Sequence, residues 1–116
     1  MSSIAASSAL GALILWLSAA ASFAQNGAEP ERRGELLLNS NCSECHAVGR
    51  AGPSPHASAP PFRTLGQRYP IESLAEALAE GLYTGHPDMP EFVFEVSDVS
   101  AILAYLQSIQ EPPANR

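Results

Sequence analysis

The stretch Cys42-Ser43-Glu44-Cys45-His46 decides the fold of this chain, and it has the pattern C-x-x-C-H. Two thiols three positions apart can each add to one vinyl group of the same porphyrin, and the next residue then places an imidazole beneath the iron. The pattern therefore predicts one covalently bound haem c, with Cys42 and Cys45 as thioethers and His46 as the proximal iron ligand.

Three other chemistries use a C-x-x-C pair, namely a thioredoxin-like dithiol, half of a zinc site and a surface disulfide. A zinc site would need another cysteine or a histidine pair at ligand spacing, and the only other histidines are His56 and His86. A redox-active dithiol is expected near a βαβ pattern, and none surrounds the motif. Haem is therefore favoured over all three.

The beginning of the chain predicts export. Residues 1–24 carry no charged side chain and close on Ser22-Phe23-Ala24, a small-x-small cleavage pattern, so they resemble a secretory signal peptide. An uncleaved membrane anchor is the alternative, because no basic residue precedes the apolar stretch and its length nearly spans a bilayer. In both cases we expect a periplasmic location. A polar leader is predicted at 25–30, the folded domain at 31–111 and a tail at 112–116.

The charge of the chain limits the classes of molecule that it can bind. The net charge is −6, with 12 acidic side chains against 6 basic ones, all of them arginine. This balance excludes nucleic acid as a partner. The exported part is too short for a large apolar core, which a buried haem would complete, and we expect a monomer.

Three helices are predicted. The first covers residues 31–39, and the second begins at Ile71 after Pro70 and loosens at Gly81. The last begins at Ser97 as its N-cap and stops before Pro112. No strand pattern is present.

Two loops rich in glycine and proline separate these helices. The first, at 49–61, directly follows the motif and would wrap the porphyrin. The second, at 84–92, contains Met89, which is the single methionine of the exported part and the predicted sixth ligand of the iron. The alternatives for this position are Met89 as a core residue, His86 as the ligand, or an open iron.

At these positions the chain resembles class I cytochromes c. Those proteins have a glycine eight residues, and a large apolar residue four residues, before the first haem cysteine, which here are Gly34 and Leu38. Their last helix has an apolar residue three positions before an aromatic one, similar to Ile102 and Tyr105. The resemblance implies an all-α cytochrome c fold of three to four helices wrapped around one covalent haem. It also implies that the N- and C-terminal helices cross at Gly34.

The resemblance further implies a proline carbonyl that accepts a hydrogen bond from the proximal imidazole, with an apolar residue two positions later. Pro60 with Phe62 fits best, and Pro55 is the alternative. Arg63 follows the same loop and is expected to hold the haem propionates.

The function that these residues imply is that of a periplasmic electron carrier rather than an enzyme, moving one electron between a donor dehydrogenase and an acceptor oxidase or reductase. One alternative is an electron-transfer subunit of a larger dehydrogenase or oxidase complex. Another is a haem peroxidase or gas-binding domain with an open sixth position. Acidic residues near Met89, namely Asp88, Glu91 and Glu95, predict docking on basic or largely apolar partners.

Overall fold

The chain forms helices and loops. Its computed structural model describes residues 18–81 and 87–113, with side chains from residue 27 onward. The elements are α1 (Ser18–Cys42), a first 3₁₀ segment (Phe62–Gln67), a second 3₁₀ segment (Ile71–Ser73), α2 (Leu74–Glu80) and α3 (Val96–Ile109). No strand occurs within the described residues. The predicted all-α fold is confirmed.

Helix α1 is longer than the sequence predicted. It begins at Ser18 and passes through 25–30, where a polar leader was expected, with Pro30 inside the helix. Alanine is the strongest helix former, and its high frequency between 19 and 28 favours helix in spite of the proline. Residues 1–17 of the predicted signal peptide lie outside the described part. The helix ends on Cys42, so the motif starts on a rigid element.

Helices α1 and α3 cross at Gly34, as predicted. A Cβ atom at Gly34 would overlap the backbone carbonyl of Ala101 and would lie 2.9 Å from the Cβ of Tyr105. Only the absence of a side chain lets the two backbones approach this closely. Beside the crossing, the Arg33 guanidinium pairs with the Asp98 carboxylate and ties the first turn of α3 to α1.

The core forms where these helices meet the segment after the motif. The buried cluster consists of Leu38, Val48, Phe62, Leu65, Ile71, Ile102, Tyr105, Leu106 and Ile109. Ile102 at its centre is fully buried. Ile102 and Tyr105, the pair by which the last helix resembles that of class I cytochromes c, are both part of this cluster.

The start of α3 differs from the prediction. The helix begins at Val96, and Glu95 in extended conformation takes the N-cap position without a side-chain cap. Ser97 therefore lies inside the first turn, and the prediction of Ser97 as N-cap is wrong. Serine is common both at and just after helix starts, so its presence alone locates the start only to within two residues.

Helix α2 precedes the second loop in the chain and contacts the segment that follows it. As predicted, the helical segment starts after Pro70 and ends at Gly81, whose φ of +84° suits glycine. The amide of Phe94 donates to the carbonyl of Leu78 at 2.8 Å, which joins the segment after Met89 to α2. No helix among the described residues has both the length and the apolar character needed to cross a bilayer.

Candidate functional site

The motif forms a tight turn at the end of α1. The amides of Cys45 and His46 both donate to the carbonyl of Cys42, at 3.2 and 2.9 Å. Both cysteines are free thiols and half-buried, so they do not form a surface disulfide. The turn thereby gathers two thiols and one imidazole within a single helical turn of backbone.

The Cys42 thiol is weakly acidic. Burial in the first place, and then the negative charge of Cys45, raise the pKa of Cys42 from 9.0 to about 11. The raised pKa further lowers the fraction of reactive thiolate that Cys42 carries at neutral pH.

The His46 ring is held in one orientation by two contacts. Its Nδ1 lies 2.8 Å from the Pro60 carbonyl oxygen, so Nδ1–H donates and Nε2 keeps its lone pair. The Phe62 ring stacks on the imidazole with centroids 4.5 Å apart. The carbonyl beside Nδ1 is thus that of Pro60 rather than that of Pro55. A backbone hydrogen bond of this kind fixes the tautomer and the direction of a metal-binding histidine.

The loop at 49–61 folds back on the motif. The amide of Ala47 donates to the Ser54 hydroxyl at 3.0 Å, and the amide of His56 donates to the Cys45 carbonyl at 3.1 Å. The amide of Phe62 donates to the Ala47 carbonyl at 3.0 Å, which sets the stacking ring in place. These hydrogen bonds hold the loop in a fixed path around His46.

The segment with Met89 contacts this loop through Asp88. His56 Nε2 lies 3.6 Å from the Asp88 carboxylate, next to Met89 in the chain. The Met89 side chain is 44% exposed, so the alternative of a buried core methionine does not describe it. His86, the other candidate ligand, lies outside the described residues.

Arg63 makes protein contacts that the sequence did not predict. Its Nε donates to the Glu111 carboxylate and one terminal nitrogen donates to the Gly52 carbonyl, both at 2.8 Å. The side chain therefore connects the first loop to the residue that follows the end of α3, and its second terminal nitrogen makes neither of these two contacts.

Gln110 is a positioning residue that sequence reasoning missed. Its Oε1 accepts from the Gly66 amide at 2.7 Å, and its Nε2 donates to the Phe62 carbonyl at 3.0 Å. This side chain holds the 3₁₀ segment of Phe62 against the end of α3. A glutamine just after a helix carries no signal of such a contact, because its partners are distant in sequence.

The donor set suits a covalent haem better than a zinc ion. Within 18–81 and 87–113, no three His, Cys, Asp or Glu side chains come together as a metal site. Porphyrin attachment requires two free thiols, which Cys42 and Cys45 supply. Iron coordination requires an imidazole whose second nitrogen is hydrogen-bonded elsewhere, as Nδ1 of His46 is to Pro60.

Comparison with known proteins agrees with this chemistry. Neither the curated proteins nor the solved structures contain a match to the chain. The model of the family described as cytochrome C oxidase, cbb3-type, subunit III matches residues 29–106, a range that contains the motif, Met89 and both crossing positions. This family consists of c-type cytochromes, proteins that transfer electrons through a haem group. The chain therefore belongs to the cbb3-type cytochrome c oxidase subunit III family of c-type cytochromes, and its cofactor is a covalently bound haem c.

Proposed function

We propose that this protein is a periplasmic electron carrier in which Cys42 and Cys45 would hold the haem and His46 and Met89 would bind its iron. The observation that carries the proposal is the hydrogen bond between His46 Nδ1 and the Pro60 carbonyl, 2.8 Å long. It leaves Nε2 as the free nitrogen and directs it away from the loop. When bound, the haem supplies a one-electron couple between ferric and ferrous iron.

The residues around His46 keep the proximal side rigid. The Pro60 carbonyl raises the basicity of the imidazole, and the Phe62 ring restricts its rotation. A ligand that does not move when the charge on the iron changes keeps the energy of reorganisation low. None of these residues has to transfer a proton or form a bond, so we propose a carrier and not an enzyme.

Met89 is proposed as the distal ligand. Its segment contacts the rest of the protein at two points, through Asp88 beside His56 and through the amide of Phe94, which donates to the Leu78 carbonyl. A thioether ligand favours ferrous iron and raises the reduction potential.

Arg63 is proposed as a haem-binding residue through the nitrogen that its protein partners leave free. Its contacts with Glu111 and Gly52 would orient this group for a propionate.

A second candidate function is an electron-transfer subunit of a larger oxidase complex. The matching family is named after a subunit of cytochrome c oxidase, which favours this candidate over a haem peroxidase or a gas-binding domain. Size-exclusion chromatography of mildly solubilised, natively expressed protein separates carrier from subunit, because a carrier elutes alone and a subunit elutes with the oxidase.

The test of the main proposal is a redox-resolved absorption spectrum of Met89→Ala beside the unchanged protein. We expect the variant to show a high-spin ferric spectrum and a lower potential, since the iron loses its sulfur ligand. The matched variant His86→Ala should keep both properties. An unchanged spin state in Met89→Ala would overturn the ligand assignment, and the same change in His86→Ala instead would assign His86.

A further inference from the structure

Three of the four polar atoms of His56 have partners within or beside its own loop. Its amide donates to the Cys45 carbonyl at 3.1 Å, and its carbonyl accepts from the Ala59 amide at 3.0 Å. Its ring nitrogen Nδ1 accepts from the Ser58 amide at 3.2 Å. An imidazole whose Nδ1 accepts a hydrogen bond is neutral and carries its proton on Nε2. These contacts therefore fix both the backbone of His56 and the tautomer of its ring.

The fourth polar atom of His56 lies beside the segment that carries Met89. Nε2 is 3.6 Å from the Asp88 carboxylate. This separation is longer than a hydrogen bond, so the contact is an electrostatic attraction between an N–H group and a negative charge. The two side chains are 40% and 77% exposed, so water screens the attraction and its effect is small.

The backbone between Asp88 and Met89 has little freedom. Pro87 precedes Asp88 and Pro90 follows Met89, and residues 87–88 form a turn. Proline fixes its own φ angle and disfavours helical conformation in the residue before it. A restraint on Asp88 therefore also restricts the positions that Met89 can take.

A different set of contacts holds the segment after Met89. Glu91 lies across Gly81, because a Cβ atom at Gly81 would overlap the Glu91 carboxylate. The amide of Phe94 donates to the Leu78 carbonyl at 2.8 Å. The segment is thus connected to the end of α2 after Met89 and to the first loop before it.

We infer that His56 is a positioning residue for the distal ligand, which acts through Asp88 to keep Met89 in place and other ligands off the iron. His56 thereby connects the loop that supplies the Pro60 carbonyl with the segment that supplies the thioether. This inference rests on the proposed function, because it takes Met89 as the ligand that His56 positions.

The experiment titrates the ferric holoprotein with imidazole, a small ligand that would bind the iron only after Met89 has left it. Absorption spectra give the association constant. His56→Leu and Asp88→Asn should each raise this constant about threefold, the size expected for an exposed pair. The double variant should also reach only about threefold, because the two substitutions remove one shared contact. Glu76→Gln makes the same change in charge as Asp88→Asn on the exposed surface of α2, and should alter the constant by less than about 1.5-fold.

The same titration in a Met89→Ala background tests whether His56 acts through Met89. No thioether competes with imidazole there, so adding His56→Leu should leave the association constant unchanged. A rise of about threefold that persists in this background would overturn the positioning role. Single variants without effect, or a rise of about ninefold in the double variant, would overturn it as well.

Failure of this inference is distinguishable from failure of the proposed function. If Met89→Ala keeps the ferric spectrum of the unchanged protein, the assignment of Met89 as ligand fails, and the role of His56 fails with it. If Met89→Ala becomes high-spin while His56→Leu binds imidazole no better than the unchanged protein, only the role of His56 fails.

Discussion

The crossing of α1 and α3 and the loops around His46 are held in different ways. At the crossing, Gly34 lets backbone meet backbone, and apolar side chains such as Ile102 fill the space beside it. Around His46, main-chain groups make the hydrogen bonds: the Pro60 carbonyl accepts from His46, and backbone amides that anchor the first loop donate to carbonyls. Shape complementarity therefore fixes the scaffold, and polar contacts fix the ligand. Damage to the first region should lower stability most, and damage to the second should change the redox site at a smaller cost in stability.

The largest effect is expected for Gly34→Ala. The new methyl group would overlap the Ala101 carbonyl, which belongs to the backbone and cannot rotate away, so the helices must separate. We expect the free energy of unfolding of the holoprotein to fall by about 3 kcal/mol. Guanidinium denaturation, followed by circular dichroism, measures it.

The control for this prediction is Gly27→Ala in the same helix, where a Cβ atom meets nothing within 4 Å. There the change should leave stability equal or raise it by up to about 1 kcal/mol, because alanine is the better helix former. Equal losses in the two variants would show that the crossing is not as close as described.

A smaller loss is expected for Gln110→Ala. It removes the hydrogen bonds to Gly66 and to the Phe62 carbonyl, and we expect a loss of about 2 kcal/mol. Because Phe62 stacks on His46, the reduction potential should shift as well. Gln107→Ala is the matched control, since its side chain donates to Glu72 at the surface and its loss should cost under about 1 kcal/mol. If the reduction potential of Gln110→Ala equals that of the unchanged protein, Gln110 does not influence the redox site through Phe62.

The same contrast explains what the sequence could predict. The C-x-x-C-H motif and the positions of Gly34 and Tyr105 carry local patterns, so the helical fold and its crossing were predictable from them. The contacts of Arg63 and Gln110 join residues far apart in the chain. Single polar side chains show no periodic sequence pattern from which such contacts could be predicted. The start of α3 was misplaced because Ser97 and Glu95 differ in backbone conformation, which composition does not encode.

Tyr105 belongs to both regions and should give an intermediate effect. Its hydroxyl donates to the Val48 carbonyl at 3.1 Å, so Tyr105→Phe should cost about 1 kcal/mol at neutral pH. Burial in the first place, and then the negative charge of Glu35, raise the pKa of Tyr105 above 10.0.

The sign of the pH effect follows from that raised pKa. The native state holds the tyrosine proton more tightly than the unfolded chain, so this group's contribution is complete below pH 10.0 and is lost as the pH rises through the native pKa. Above pH 10.0 the difference in unfolding free energy between the unchanged protein and Tyr105→Phe should therefore shrink. Parallel denaturation curves between pH 7 and pH 11 measure this, and a constant difference would contradict it.

The smallest effect is expected for the ion pair of Arg33 with Asp98, although it joins the same two helices as Gly34. Arg33 is more than half exposed, so water and salt screen its charge and the pair should contribute only about 0.5 kcal/mol. A double-mutant cycle with Arg33→Gln and Asp98→Asn isolates that coupling, and it should decrease further at high salt. A coupling above about 2 kcal/mol would mean that charge, and not the close approach at Gly34, decides how the helices cross. Gly34→Ala and the Arg33/Asp98 variants all act on the interface between α1 and α3. Only Gly34→Ala forces the two backbones apart, so its loss of stability should be the larger one.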